Sequence, residues 1–336
     1  MRKVLVTGGL GFIGSNFVRF LLGKYPDIHV VNCDKETYCG NPENLKEIER
    51  DSRYEWVRGD ICDPDAVENA MNGCSTVFHL AAQTHVDRSI LKADEFIQTN
   101  VFGTYVLLEA AKQFGLEKFI HISTDEVYGS LEKGSFSEQS PLEPSSPYAA
   151  SKASADLLVL AAYKTYGLPV VVTRCTNNFG PYQYPEKLVS LFMTNALEDR
   201  RLPLYGDGMN VREWIYVLDH CEALDVIWNR GKAGEIYNIG SQKEASNLEI
   251  ATAILRELGK PEELIEYVKD RPGHDRRYSV DSGKVRSLGW SPKHPFETAL
   301  HETVVWYKEH ESWWRKLKAK RKEFLDYYNA QYGARG

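Results

Sequence analysis

Val4-Leu-Val-Thr-Gly-Gly-Leu-Gly-Phe-Ile-Gly-Ser-Asn-Phe-Val-Arg-Phe-Leu-Leu22 decides how the rest of the chain is read. Val4 to Thr7 is an apolar run suited to a strand buried on both faces. Glycines follow at Gly8, Gly11 and Gly14, and Ser15 to Leu22 carries apolar residues at helical spacing. Strand, glycine turn and helix in that order bring backbone amides to a pyrophosphate at the positive end of the helix. A glycine triplet alone is a weak signal. Here a second strand, Ile28-His-Val-Val-Asn-Cys33, ends at Asp34, twenty residues after Gly14. A carboxylate at that point accepts hydrogen bonds from a ribose and repels a 2′-phosphate, which favours NAD over NADP.

The alternation continues. Tyr54 to Arg58 reads as a strand ending at Gly59-Asp60, and Pro64 to Met71 as a helix with proline at its start. Thr76 to Leu80 reads as a strand ending in Ala81-Ala82, small residues that admit a ligand at a strand's carboxyl end. Asp94 to Phe114 reads as one long helix, Lys118 to Ile122 as a strand delivering Ser123 to Glu126, and Leu168 to Arg174 as the sixth strand. The pattern predicts an α/β protein with a Rossmann-type, doubly wound parallel sheet.

After Arg174 the composition shifts. Asn177-Asn-Phe-Gly-Pro-Tyr is polar and turn-rich, Lys187 to Glu198 is an amphipathic helix, and Asn247 to Leu258 is a helix with asparagine near its cap. The strands Arg212–Tyr216 and Glu235–Ile239 are placed with the first sheet. This assigns residues 1–176 plus about 211–240 to a dinucleotide-binding domain. Residues 177–210 plus 241–330 form a smaller, mixed α/β substrate-binding domain. The tail from Thr298 to Tyr332 reads as one or two helices, with the basic run Arg315–Lys322 as a solvated face.

The 336 residues are 43% hydrophobic and 26% charged, with a net charge of −6, which argues against a nucleic-acid partner. No apolar run approaches the roughly 20 residues that span a bilayer, so no membrane is expected. Met1-Arg-Lys leads straight into the first strand with no leader-like apolar core, which points to a cytoplasmic protein. The six cysteines show no CxxC spacing, so no metal site is expected and all six read as reduced structural thiols.

The stretch from Ser123 to Lys152 carries the chemistry. Tyr148 and Lys152 lie four apart and share a helix face. A lysine ammonium beside a phenol favours phenolate, lowering the tyrosine from its usual value of about 10 and making it a base. On a solvated helix the same pair is ordinary; the dinucleotide fold upstream is what favours catalysis. Asp125 and Glu126 are adjacent carboxyls at a strand's end. Their repulsion keeps one protonated near neutral pH and gives an acid beside a base. A plain hydride transfer has no need of that pair, whereas an elimination does. The bland alternative is a solvated turn.

Thr7-Gly-Gly-Leu-Gly-Phe-Ile-Gly14, Asp34 and Tyr148-x-x-x-Lys152 resemble the extended short-chain dehydrogenase/reductase superfamily. Three further strings are His79-Leu-Ala-Ala-Gln-Thr-His-Val-Asp-Arg-Ser-Ile90, Ser123-Thr-Asp-Glu-Val-Tyr-Gly129 and Asn177-Asn-Phe-Gly-Pro-Tyr-Gln-Tyr-Pro-Glu-Lys-Leu188. They narrow the resemblance to the dTDP-glucose 4,6-dehydratase family, and it runs to about Trp290. The resemblance implies that Tyr148 takes the proton of the sugar 4-hydroxyl while hydride passes from C4 to NAD. Thr124 hydrogen-bonds the same oxygen, Glu126 removes the C5 proton and Asp125 protonates the departing 6-hydroxyl. Hydride then returns to C6, and NAD stays tightly bound.

To the three glycines, Asp34, Tyr148 and Lys152, the resemblance adds further cofactor contacts. They are Phe12, Ile13, Lys35 and Thr37 near the first two strands, and Asp60, Ile61 and Thr99 beyond them. Leu80, Ala81, Ala82, Thr84 and Asn178 complete the set. Sugar-nucleotide contacts fall on Thr124, Asn177, Glu186, Lys187, Leu188, Pro203, Tyr205, Arg212, Asn247 and the loop from Arg271 to His274, where arginines suit a diphosphate. His85 either lines the sugar pocket or is structural; Arg276 and Arg277 either serve the diphosphate or are surface charge. The resemblance also implies a homodimer built through the helices at 94–114 and 148–166. A UDP-glucose 4,6-dehydratase, a sugar-nucleotide 4-epimerase or decarboxylase, and a non-catalytic NAD-binding scaffold remain alternatives. The epimerase has no evident need for Asp125 and Glu126.

Overall fold

A computed structural model describes residues 2–320. The chain alternates β1 (Arg2–Thr7), α1 (Phe12–Lys24), β2 (Ile28–Asp34), β3 (Tyr54–Arg58), α2 (Pro64–Met71) and β4 (Thr76–His79). Next come α3 (Val86–Leu91), α4 (Asp94–Phe96), a π-helical turn at Ile97–Phe102, α5 (Gly103–Phe114), β5 (Lys118–Thr124) and a 3-10 turn at Asp125–Tyr128. Then follow α6 (Pro147–Tyr166), β6 (Val170–Cys175), β7 (Asn177–Phe179), α7 (Leu188–Leu197), β8 (Leu202–Tyr205), β9 (Val211–Tyr216) and α8 (Val217–Arg230). The chain continues with β10 (Ile236–Ile239), β11 (Glu244–Ser246), α9 (Asn247–Leu258), β12 (Ile265–Val268), α10 (Gly283–Ser287), α11 (Phe296–Glu309) and α12 (Glu311–Lys320).

Seven parallel strands form the main sheet in the order β10-β6-β5-β4-β1-β2-β3. The winding reverses between β1 and β4, so the strand ends diverge there and leave a crevice over their carboxyl ends. Along β1, Val4 and Val6 enter the core on one face and Leu5 the core on the other, as the two-residue period of a strand dictates.

Two smaller sheets, β11-β9-β7 and β12-β8, lie outside the main one. Of the two strands expected to rejoin the main sheet, only Ile236–Ile239 does, pairing with β6. The strand holding Arg212 to Tyr216 pairs instead with β7 and β11. The open side of β6 is filled by β10, which leaves β9 to the small sheet. The segment at Asn177–Phe179, read as a turn, is a short strand of that sheet. The long helix expected over 94–114 is interrupted by its π turn.

The tail helices dock on the rest of the chain through their aromatics. Trp313 Nε1 donates to Asn44 Oδ1 and Tyr307 Oη to the Gln183 carbonyl. The end of the basic run, 321–322, and the tail to Tyr332 lie outside the described residues. No helix among the described residues is long and apolar enough to cross a membrane.

Candidate active site

The glycine turn is built as a cradle. Gly8 has φ of +73°, and a Cβ there would sit 2.7 Å from the Ala81 backbone. At Gly14 a Cβ would sit 2.2 Å from the Gly8 carbonyl oxygen. Gly11 caps α1 without a side chain, and the first turn of α1 carries no acid, so its amide end is left for an anion. Asp34 closes the turn from β2: its Oδ2 accepts the Leu10 amide at 3.0 Å and its Oδ1 the Glu36 amide at 2.8 Å. Burial raises its pKa, and these two amides oppose the rise. Asp34 therefore has a structural duty that the motif alone does not reveal.

The opposite wall is fixed by Thr7. Its hydroxyl meets His79 Nδ1 at 2.9 Å and accepts the Ala81 amide at 3.1 Å. His79 Nε2 lies 3.0 Å from Thr104 Oγ1, so β1, β4 and α5 are tied together at the strand ends. The π turn supplies Asn100, whose side chain exchanges hydrogen bonds with the Gln83 backbone and donates to Ser151 Oγ on α6. An i→i+5 turn at such a junction is a common sign of a functional site. Together these contacts set the wall from Leu80 to Thr84 against the helix that carries Tyr148.

One cleft joins these parts. Its walls include the three glycines, Phe12, Ile13, Asp34, Lys35, Thr37, Asp60 and Ile61 at one end, with Leu80 to Ala82, Thr84 and Thr99 beside them. At the other end stand Thr124, Asp125, Glu126, Tyr148, Lys152, Asn177, Asn178, Glu186, Lys187 and Leu188. A glycine cradle, a bare helix end and a carboxylate past the second strand, facing one elongated cleft, fit a dinucleotide.

At the catalytic end, Thr124 caps the 3-10 turn: its hydroxyl accepts the Glu126 amide and donates to Asp125 Oδ1, each at 3.3 Å. Asp125 is buried, and its Oδ2 has no hydrogen-bond partner among the described residues. Burial first, then the charges of Glu126 and Glu213, hold its pKa well above the carboxylate range. Burial also raises Glu126, but Arg271, Lys187 and Arg212 draw it back down. The two adjacent carboxyls thus sit in different electrostatic settings, with nearby cations opposing the rise at Glu126.

Tyr148 departs from expectation. Its pKa is pushed well above 10, by burial first and then by Glu126 and Cys175; a hydrogen bond with Thr124 works the other way. Lys152 does not bring it down: the ammonium donates to the Ile122 carbonyl at 2.8 Å and is itself lowered to about 8 by burial.

Beneath this end lies a buried network that the sequence reading missed. Asp156, one turn beyond Lys152 on the same face of α6, accepts from Arg174 Nε at 2.8 Å and lies 3.4 Å from His121 Nε2. Arg174 also donates to Tyr128 Oη at 2.8 Å, which pins the turn holding Asp125 and Glu126. An i, i+4, i+8 scan from Tyr148 through Lys152 would have found Asp156.

The remaining expected substrate residues are not among those that line the cleft. Pro203 and Tyr205 are on β8, Arg212 on β9, and Asn247 opens α9. Arg212 donates to the Asp275 carbonyl at 2.9 Å with its guanidinium 4.2 Å over the Tyr278 ring. Asn247 Oδ1 and Arg271 Nη1 are buried without partners among the described residues. His274 pairs with Asp270 at 2.6 Å, and His85 is buried at the cap of α3. Arg276, exposed, pairs with Asp207 as surface charge would, whereas the partly buried Arg277 pairs with Glu244. The described residues hold no cluster fit for a metal, and all six cysteines are free.

These features define a dinucleotide-binding α/β protein with a tyrosine–lysine helix and an added acid–base pair. The family described as GDP-mannose 4,6 dehydratase matches residues 5–303, and the chain belongs to that family. It is 52% identical to a dTDP-glucose 4,6-dehydratase of Streptomyces niveus over 322 residues, covering 94% of this chain and 96% of that protein. Among solved structures it is similar to DesIV, a dTDP-glucose 4,6-dehydratase of Streptomyces venezuelae crystallised with NAD. The TM-score is 0.92 and the identity 50%, covering 94% of this chain and all of that one. The UDP-glucose 4-epimerase of Thermus thermophilus shares the fold at a TM-score of 0.85 and 32% identity, covering 92% of this chain and 99% of the epimerase.

Proposed function

We propose that this protein is an NAD-dependent hydro-lyase that converts dTDP-glucose to dTDP-4-keto-6-deoxyglucose. The observation that carries the reading is the buried Asp125 carboxyl, its pKa raised well above the usual value by burial, beside a Glu126 whose own rise three cations oppose. Elimination across C5–C6 needs such a pair and a simple oxidation does not. Gly8, Gly11, Gly14, Asp34, Tyr148 and Lys152 would hold the cofactor. When bound, NAD supplies the acceptor and later donor of the hydride, and in its oxidised form a positive charge that counters the rise in Tyr148.

The chain's own residues manage the protons. Tyr148 exchanges the proton of the sugar 4-hydroxyl, with Thr124 steadying the same oxygen. Glu126 removes the C5 proton, which a ketone at C4 has made acidic. Asp125 gives its proton to the 6-hydroxyl, which leaves as water. Arg212, Arg271 and Lys187 receive the diphosphate side.

Residues with exposed apolar side chains cluster on the helices at 86–114 and α6: Leu91, Ile97, Tyr105, Leu157 and Tyr166 among them. A second copy of the chain is the occupant we assign to that face, as a homodimer. Six free thiols fit a cytoplasmic location.

The deciding experiment incubates the protein, without added cofactor, with dTDP-glucose or UDP-glucose carrying deuterium at C4. A 4-keto product from the first, with the label at C6 of the same molecule, is expected. Label lost to solvent or to free NADH refutes the scheme, and turnover of UDP-glucose alone reassigns the base.

A further inference from the structure

Residues 84–88 end the wall of the cleft and open α3, and three parts of the second half hold on to them. Lys187 Nζ donates to the Thr84 carbonyl at 2.7 Å. Arg88 pairs with the buried Glu186 at 3.1 Å. Asp87 carries the third link: its Oδ2 accepts the Tyr205 hydroxyl at 2.8 Å, and its Oδ1 lies 3.5 Å from Arg271 Nε. One buried carboxylate from the first half thus anchors two side chains from separate elements of the second, β8 and the loop after β12.

The geometry bears on what Arg271 can do. With its Nε edge held by Asp87, the guanidinium keeps Nη1 buried and without a partner among the described residues. A planar fork fixed along one edge presents its remaining donors in a set direction, which suits a phosphate oxygen. Tyr205 is fixed in the same way, with its ring 5.9 Å from that of His274. Two long side chains set in advance have less rotamer freedom to lose on binding.

We propose that Asp87 is a positioning residue that presets Tyr205 and Arg271 for the nucleotide-diphosphate end of the substrate. The inference rests on the sugar-nucleotide reading above. Its sign is informative. By charge alone, Asp87 repels a diphosphate and its removal would tighten binding. By positioning, its removal loosens binding.

The test titrates the NAD-loaded protein with dTDP by calorimetry, for the unchanged chain, Asp87→Asn, Tyr205→Phe and the double variant. Asp87→Asn is expected to weaken dTDP roughly 10-fold, the scale of a hydrogen bond to a charged group. KM for the sugar nucleotide should rise in step, with kcat within about 3-fold, since the reacting carbons lie elsewhere. Bound NAD and melting temperature should hold. The two losses should combine to less than their product in the double variant, because Tyr205→Phe removes one of the two contacts through which Asp87 acts. Unchanged or tighter dTDP binding by Asp87→Asn overturns the inference, as do losses that multiply in the double variant. Tyr205→Phe keeps the buried charge and reads the contact if Asp87→Asn fails to fold; unchanged dTDP affinity there overturns it as well. If the unchanged protein binds neither dTDP nor UDP, the sugar-nucleotide reading itself falls and takes this inference with it.

Discussion

Lys152 Nζ donates to the carbonyl oxygen of Ile122 at 2.8 Å, tying α6 to the end of β5. The ammonium is held there at a cost, since burial lowers its pKa from 10.5 to about 8. The folded value lies below the unfolded one, so the penalty is full below about pH 8 and fades as pH rises toward 10.5. At 1.36 kcal/mol per pH unit the penalty is roughly 3 kcal/mol. An unpaired Ile122 carbonyl would take back about 1–3 kcal/mol. Lys152→Met, compared at saturating NAD, should therefore lose activity about 10²–10⁴-fold yet melt no lower at pH 7. Any advantage in its thermal melt should shrink at pH 10. A melting temperature several degrees below that of the unchanged chain at pH 7 would show that the lysine is structural.

Gly14 and Gly23 lie on the same helix, α1, in opposite situations. A Cβ at Gly14 meets the Gly8 carbonyl at 2.2 Å, whereas at Gly23 it meets nothing within 4 Å. Gly14→Ala should leave the protein purifying with little or no NAD, read from the nucleotide released on acid denaturation. Gly23→Ala should keep its NAD and gain up to about 1 kcal/mol in a denaturant titration. Equal NAD content in both variants would contradict the cradle.

Much of the fold was legible because the first half obeys local rules. Buried parallel strands read as apolar runs, and the glycines sit where a strand turns into a helix. The second half was harder because its strands are short and their partners distant. Nothing local in Arg212–Tyr216 says that it pairs with β7 and β11 rather than with the main sheet. The site divides in the same way. Tyr148, Lys152 and Asp34 announce themselves by spacing, whereas Asp87 and Asp156 matter through partners 118 and 18 residues away. The pKa of Tyr148 is set by burial first and then by Glu126 and Cys175, and spacing encodes neither the burial nor those neighbours.

The apolar face on α5 and α6 makes its own prediction. Leu157 is 59% exposed and Tyr105 47%, on neighbouring helices. A charge placed between two copies would be buried unpaired. Leu157→Glu should therefore weaken self-association at least about 100-fold, seen as a monomer by sedimentation at micromolar protein, and should keep its NAD. A dimer of unchanged affinity would move the interface elsewhere.

Asp125 and Glu126 have no evident part in an epimerisation, and they should fail in separable ways. Glu126→Gln removes the group that the surrounding cations favour as ionised, so C5 deprotonation should fall about 10²–10⁴-fold. Oxidation at C4 needs only Tyr148, Thr124 and the cofactor, so enzyme-bound NADH should accumulate on mixing with dTDP-glucose, visible by its absorbance. Asp125→Asn cannot give up a proton to the leaving hydroxyl and should stall at the same stage. The two differ in stability. Asp125 has a folded pKa raised above its unfolded value near 3.8, so the unchanged protein loses stability as pH rises from about 4 toward the folded value. Asparagine carries no such penalty. Asp125→Asn should then melt higher than the unchanged chain at pH 7, with the gap closing toward pH 4. If both variants dehydrate dTDP-glucose at normal rates, the pair is a turn and not an acid and a base.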